Sequence, residues 1–305
     1  MEKRVKFDFE VFFTNGGSIK SEDFRLDIEG DDISDKELAD YIIRDLRLLM
    51  AGKTIISNKE IFSEPHKRKN ADADKGGTKA NTDAPVFIDL SHTIENGLIT
   101  YKGLPAPVIC DFLSREDSKQ LYSDGTTFQI GKIEMVSNTG TYIDCPFHRY
   151  ENGKDLSEVG LEGLADLEGI VISVPHTDTL AVTADHLRNY EIRNRAILVH
   201  TGWDSHWNTE QYYENHPFLT KDAAEYLRDC QVKLVGIDSL NIDDTADKSR
   251  PVHSILLGDG ILIVEHLCNL YLLPREGFIF SAVPPKFKGV GTFPVRAMAK
   301  VRSQG

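Results

Sequence analysis

Ser137-Asn138-Thr139-Gly140-Thr141-Tyr142-Ile143-Asp144-Cys145-Pro146-Phe147-His148-Arg149 is the stretch on which the reading of this chain turns. An amide, a phenol, a carboxylate, an imidazole and a guanidinium fall within thirteen positions. The segment before it, Phe128 to Val136, alternates in character and predicts a strand. Continued in extended form, that strand places Asn138, Gly140, Tyr142 and Asp144 on one face, because side chains alternate with period two. Gly140 leaves a gap in that row. Pro146 ends any ladder, and His148 follows on the turn. A row of polar groups at the end of an apolar strand builds a poor core and predicts a site.

A second polar cluster lies downstream. Ile261, Ile263 and Glu265 share a face of another predicted strand, and His253 stands twelve positions before Glu265, across Gly258-Asp259-Gly260. A buried carboxylate needs a cation, a proton or a donor. His253 and Glu265 brought beside Asp144 and His148 make two imidazoles and two carboxylates, which is a divalent-metal set or an acid–base set.

The rest of the chain frames these clusters. Its 305 residues are 40% hydrophobic and 27% charged, the composition of an ordinary globular protein. A net charge of −13 repels phosphate backbones and argues against nucleic acid as a partner. No apolar run approaches the roughly 20 residues needed to span a bilayer. Met1 to Lys6 leads into alternating charge and not into an apolar signal region, and the four cysteines form no CxxC pair. Together these predict a cytoplasmic protein with reduced thiols.

At the N-terminus, Val5, Phe7, Phe9, Val11 and Phe13 alternate with Lys6, Asp8, Glu10 and Phe12, and Phe24, Leu26 and Ile28 alternate again after Asn15-Gly16-Gly17. This predicts a hairpin. Ser34-Asp35-Lys36-Glu37 is a capping box. Leu38, Tyr41, Ile42, Leu46 and Leu49 then recur at helical spacing, Ala51-Gly52 reads as the helix stop, and Thr54 to Phe62 reads as a last strand. The result is a small ββαβ domain over residues 1–63, near the lower size limit for independent stability and expected to dock on the rest of the chain or on a second copy of itself. Residues 64–85 have no large apolar side chain and read as a flexible linker. Residues 86–305 form the main domain, whose apolar runs at 169–174, 196–200, 232–237 and 261–265 predict an α/β fold around a buried sheet.

The spaced run Asn138-Thr139-Gly140-Thr141-Tyr142-Ile143-Asp144-Cys145-Pro146-Phe147-His148, with His253 and Glu265 later, resembles the signature of the cyclase family. That family includes bacterial kynurenine formamidase and isatin hydrolase. Asp89-Leu90-Ser91-His92, Thr201-Gly202-Trp203 and Gly291 to Ala297 extend the resemblance over residues 86 to 302. It implies a swivelling β/β/α domain, homodimers or homotetramers, and metal-dependent hydrolysis of a small amide, formamide, lactam or lactone, N-formylkynurenine first among them. Asp144, His253 and Glu265 are then metal ligands, with Asn138 and Tyr142 in two positions the family fills with histidine. His148, with Glu265, is then the proton-moving group. The oxygen-rich donor set favours one manganese or magnesium ion over zinc, with no metal as the alternative.

The same residues carry other readings. Tyr142 is either a ligand or a buried aromatic whose hydroxyl bonds Asp144. His148 with Asp144 or Glu265 also makes a metal-free enzyme, and the whole set also suits a binding protein without turnover. Tyr101, Trp203 and Trp207 are candidates for an aromatic substrate pocket, and Arg149 and Arg296 for holding a substrate carboxylate. Cys145 reads as a small buried thiol.

Overall fold

The computed structural model describes residues 3–14, 16–28, 32–45, 51–63 and 85–301. The chain divides into two compact units, Met1–Ala80 and Asn81–Gly305. In the first, strands Lys3–Phe13, Ser18–Ile28 and Ala51–Ser63 form an antiparallel sheet with Lys3–Phe13 in the middle, and the helix Asp35–Asp45 follows the second strand. Val5, Phe7, Phe9 and Val11 point to one face and bury Leu38 and Ile42 of the helix. The edge-to-face rings of Phe7 and Phe9 on Phe24 fill this small core. The helix starts where its capping box allows: Glu37 N–H donates to Ser34 Oγ at 3.2 Å, and Ser34 N–H donates to the Glu37 carboxylate at 2.9 Å. Ala51 and Gly52, expected at the helix end, open the third strand. Leu46, Leu49 and residues 64–84 of the expected linker lie outside the described residues.

The second unit is built on a nine-stranded mixed sheet, in line with the expected α/β class. Its order is Thr292–Pro294, Tyr142–Asp144, Leu262–Glu265, Leu234–Ile237, Ala196–His200, Leu167–Ser173, Glu276–Ser281, Met298–Val301 and Val86–Asp89. The four strands from Leu262–Glu265 to Leu167–Ser173 run parallel, and the flanking strands are antiparallel. Both faces are covered, which explains the uninterrupted apolar runs. Ile170, Ile172, Ile197, Val199, Val235, Ile237 and Ile263 pack with the helices Lys221–Asp229 and Pro251–Gly258. Val171, Ala196, Leu198, Leu234, Leu262 and Val264 pack on the other side with Phe278 and Phe280.

This alternation places the chemistry. Ile143 and Cys145 point into the second core. Tyr142 and Asp144 therefore point to the opposite face, the face that Ile263 and Glu265 share. Register sets Tyr142 opposite Glu265, and Asp144 between Ile263 and Thr292.

One expectation fails in this region. The strand before the motif is Ile130–Glu134, and it pairs with Val108–Leu113 in a separate two-stranded ribbon. The chain bends at Ser137 and Asn138, and Gly140 adopts φ +67°, so no continuous extended face runs from Asn138 to Asp144. A Cβ at Gly140 would sit 2.6 Å from Ile94, so glycine is required there by both backbone and space. Among the described residues no helix is long and apolar enough to cross a membrane.

Candidate active site

Asp144 is fully buried, and its two oxygens differ. Oδ1 accepts a short hydrogen bond from the Thr292 hydroxyl. Oδ2 is buried with no hydrogen-bond partner, a costly state for a carboxylate oxygen unless something binds it. Thr292 Oγ1 also lies 2.7 Å from His148 Nδ1. Because the Thr292 proton goes to Asp144, its oxygen accepts from His148 Nδ1–H. That fixes the tautomer and leaves Nε2 as the basic nitrogen of His148.

His253 sits on the first turn of the helix Pro251–Gly258. Asp243 anchors it three times, accepting from Val252 N–H at 2.7 Å, His253 N–H at 3.0 Å and His253 Nδ1 at 2.6 Å. The same carboxylate therefore caps the helix and orients the imidazole. His253 Nε2 is left 3.7 Å from Asp144 Oδ2 and 3.7 Å from Glu265 Oε1. Burial opposes charge on this ring, but the nearby Asp144 carboxylate, the hydrogen bond to Asp243 and the Glu265 charge outweigh it and push His253 up to about 10.

Glu265 ends its strand in full burial. Ile242 N–H donates to Oε1 at 2.6 Å, and the Tyr142 hydroxyl donates to Oε2 at 2.7 Å. Burial raises its carboxyl to about 7, with His253 opposing the shift. The Tyr142 hydroxyl thus bonds Glu265 and not Asp144. Burial first, then the Glu265 and Asp144 charges, hold it well above the usual phenol range. Behind it, His266 Nε2 lies 3.3 Å from the Tyr142 hydroxyl and His266 Nδ1 lies 2.8 Å from the Tyr212 hydroxyl. Since Tyr142 donates to Glu265, it accepts from His266 Nε2–H, and His266 Nδ1 accepts from Tyr212. Three donors in series end on the Glu265 carboxylate.

Asp144, His148 and His253 each present a donor atom within 4.8 Å of the others. The donor chemistry fits one divalent ion. Asp144 Oδ2 is orphaned, His253 Nε2 is held by its other nitrogen in the orientation of a ligand, and two buried carboxylates sum to −2. Without an ion, protons on His253 and Glu265 moderate that charge.

These groups line a cavity of about 520 Å³. Asn138, Tyr142, His148, Arg149, His253, Glu265 and Tyr101 all face it, as do Asn241 and Arg250. Trp203 does not: it is buried against Tyr212 and Leu240, and its Nε1–H donates to Tyr212 O at 3.1 Å. Arg296 is held by Asp89 at 2.8 Å, and Cys145 is a buried thiol that burial pushes up to about 11. Thr292, Asp243, Asn241 and Arg250 are the functional side chains that sequence reasoning missed. Arg250 occupies the left-handed region, φ 49° and ψ 61°, immediately before Pro251, and its guanidinium donates to Asn241 Oδ1 at 2.6 Å. Such a backbone costs a non-glycine residue about 1–3 kcal/mol and persists where its surroundings enforce it.

The Asp89-Leu90-Ser91-His92 and Thr201-Gly202-Trp203 landmarks support the site from below. Asp238 accepts from Thr201 N–H and Gly202 N–H, both at 2.8 Å, and burial pushes its carboxyl up to about 7. His92 stacks on Trp207 with ring centroids 3.9 Å apart, and burial holds its imidazole down to about 4. The folded value lies below the ordinary 6.5, so its contribution is present above pH 6.5 and is lost as pH falls toward 4. Glu265 and Asp238 titrate with the opposite sign over part of that range. The measurable quantity is therefore the stability difference between wild type and His92→Gln, which shrinks by up to about 3 kcal/mol between pH 7 and pH 4 in denaturant titrations. A difference independent of pH contradicts this.

Comparison with known proteins gives a consistent result. The sequence profile of the Cyclase family, described as "Putative cyclase", matches residues 88–244. The kynurenine formamidase of Bacillus cytotoxicus is 30% identical over 217 residues, which is 71% of this chain and 98% of that protein. The kynurenine formamidase of Bacillus cereus is 27% identical over 70% of this chain and 97% of its own length. Among solved structures, a potential metal-dependent hydrolase with cyclase activity superposes with TM-score 0.60 at 26% identity, covering 72% of this chain and 99% of that one. Isatin hydrolase A from Labrenzia aggregata shares the fold, with TM-score 0.61 at 20% identity over 71% of this chain and 94% of that one.

Proposed function

The chain belongs to the cyclase family, and from that premise we propose that it is a metal-dependent hydrolase of small amides, with an aryl formamide of the N-formylkynurenine type as its first substrate. The observation that carries this reading is the placement of His253 Nε2 midway between two buried carboxylates, beside an Asp144 oxygen that has no partner.

Asp144 Oδ2 and His253 Nε2 would hold the ion, and the Glu265 carboxylate would balance its charge. The oxygen-rich set favours manganese or magnesium over zinc. A divalent ion in this position supplies Lewis-acid polarisation of a carbonyl and lowers the pKa of water. His148 moves the proton: its Nε2 takes it from the attacking water and returns it to the leaving nitrogen. A C–O bond forms at the formyl carbon, the C–N bond breaks, and formate and an arylamine leave. Tyr142 holds Glu265 in place and is not a ligand. Tyr101 and Arg149 lie on the substrate side of the cavity. The test is hydrolysis of N-formylkynurenine and formanilide by metal-loaded and chelator-treated protein.

A small-molecule binder without turnover is the second reading. It is favoured by Asn138 and Tyr142, which stand where the family motif has histidines. Ligand-induced stabilisation with no product, in excess manganese, establishes it.

For assembly we propose a homodimer built on the Val108–Leu113 and Ile130–Glu134 ribbon. Phe112 is 76% exposed and Ile133 61% exposed, with Val108, Leu121, Phe128 and Ile130 around them. Apolar surface on this scale marks an interface. Ile133→Asp halves the mass seen by light scattering; a wild-type mass already equal to one chain contradicts the pairing.

A further inference from the structure

The cavity has an unusual charge distribution. Acids outnumber bases 48 to 35 in the chain, yet the cavity is lined by Lys102, Arg149, Lys248 and Arg250 against one lining carboxylate, Glu265, with the buried Asp144 carboxylate behind His253. Lys102 is spent outward on Glu210, at 2.6 Å. The other three have no carboxylate within ion-pair distance among the described residues. Arg149 Nε donates to Ser254 Oγ at 3.2 Å, and Lys248 Nζ donates to Thr245 O at 2.9 Å. Arg250 is half-buried, and its hydrogen bond goes to the neutral Asn241. Beside it on the cavity wall, the Tyr101 hydroxyl is buried with no hydrogen-bond partner among the described residues.

Two half-satisfied guanidiniums, an ammonium and a free hydroxyl on one wall are the complement of a carboxylate. A zwitterionic substrate would bring an ammonium group against the same wall. We propose that the site selects net-anionic amides, in which a carboxylate unbalanced by an ammonium is held by Arg149 and Arg250 while the amide carbonyl reaches the Asp144–His253 end. This rests on the hydrolase reading and narrows it to a substrate class.

Three probes separate the charge states: formanilide is neutral, N-formylkynurenine is zwitterionic and 2-formamidobenzoate is an anion. The expected order of kcat/KM is anion, then zwitterion, then neutral. The anion should lead the neutral probe by at least about tenfold, expressed in KM and weakened by added salt. Arg149→Met and Arg250→Met each lower the anion-to-neutral ratio about tenfold, and Arg250→Lys restores part of it. The ratio cancels intrinsic reactivity and general damage to the site. A ratio near one in wild type, or one unchanged in both methionine variants, overturns the proposal. Calorimetry with 2-aminobenzoate and aniline gives the same decision without turnover. Tighter binding of the anion, lost in Arg250→Met, sustains the anion site even if no amide is hydrolysed. Equal binding overturns it.

Discussion

Alanine in place of His253 removes both the bound ion and hydrolysis, whereas alanine in place of His148 removes turnover and leaves the ion bound. The difference follows from what each ring touches. His253 Nε2 is the donor between Asp144 and Glu265, 3.7 Å from each. Its loss leaves two fully buried carboxylates facing each other with no cation, which destabilises the fold by about 3–5 kcal/mol where a buried pair is broken. Activity falls by about a thousandfold or more, equivalent to about 4 kcal/mol of transition-state stabilisation. His148 is more exposed, and its Nδ1 is committed to Thr292. Its removal takes away a proton-transfer group, a loss of about 10²–10⁴-fold, without taking away Asp144 Oδ2 or His253 Nε2. Elemental analysis of the two variants beside their initial rates checks the distinction. Equal metal loss in both would place His148 in the ligand shell.

The second large effect is expected at Asp243, a residue that never touches substrate. Its carboxylate accepts from two backbone amides at the start of the Pro251–Gly258 helix and from His253 Nδ1. Asparagine keeps one acceptor oxygen and offers a donor in place of the other. The helix amides and the imidazole then compete for one acceptor, and His253 is free to take the tautomer that buries its lone pair. Metal affinity and kcat/KM are expected to fall about 10–100-fold, the usual cost of losing the partner that orients a ligand. Alanine also strands the buried amides and costs about 2–4 kcal/mol of stability. Thermal melts and metal titrations of both variants separate the two contributions: asparagine moves affinity more than stability, and alanine moves both. Unchanged metal affinity in Asp243→Asn would show that the helix alone orients His253.

Much of this arrangement was legible before any coordinates. Polar residues spaced around Gly140 and Pro146, and a histidine and glutamate flanking a glycine turn, pointed to convergence of Asp144, His148, His253 and Glu265. Apolar runs at 196–200 and 232–237 pointed to a sheet buried on both faces, which is what the alternation of Ile197 and Leu198 into two cores produces. What was hidden depends on long-range register or backbone sign. The bend at Asn138 is set by Gly140 in the left-handed region, and period-two reasoning has no term for that. Tyr142 finds Glu265 because the two strands pair antiparallel in a register joining residues 123 apart. Thr292 reaches Asp144 from the neighbouring strand 148 positions later in the chain, and Asp243 reaches His253 from a loop of many acids with no distinguishing motif. Trp203 looked like a pocket aromatic because its neighbours in sequence carry chemistry, but its indole is satisfied inside a cluster with Tyr212 and Leu240.

The central claim is that one divalent ion at Asp144 and His253 supports amide hydrolysis. Its most direct test is the initial rate of aryl formamide hydrolysis by the full-length protein before chelation, after chelation and after return of manganese. The account predicts that activity is lost on chelation and restored by about one equivalent of metal per chain. A rate unaffected by the chelator would contradict it.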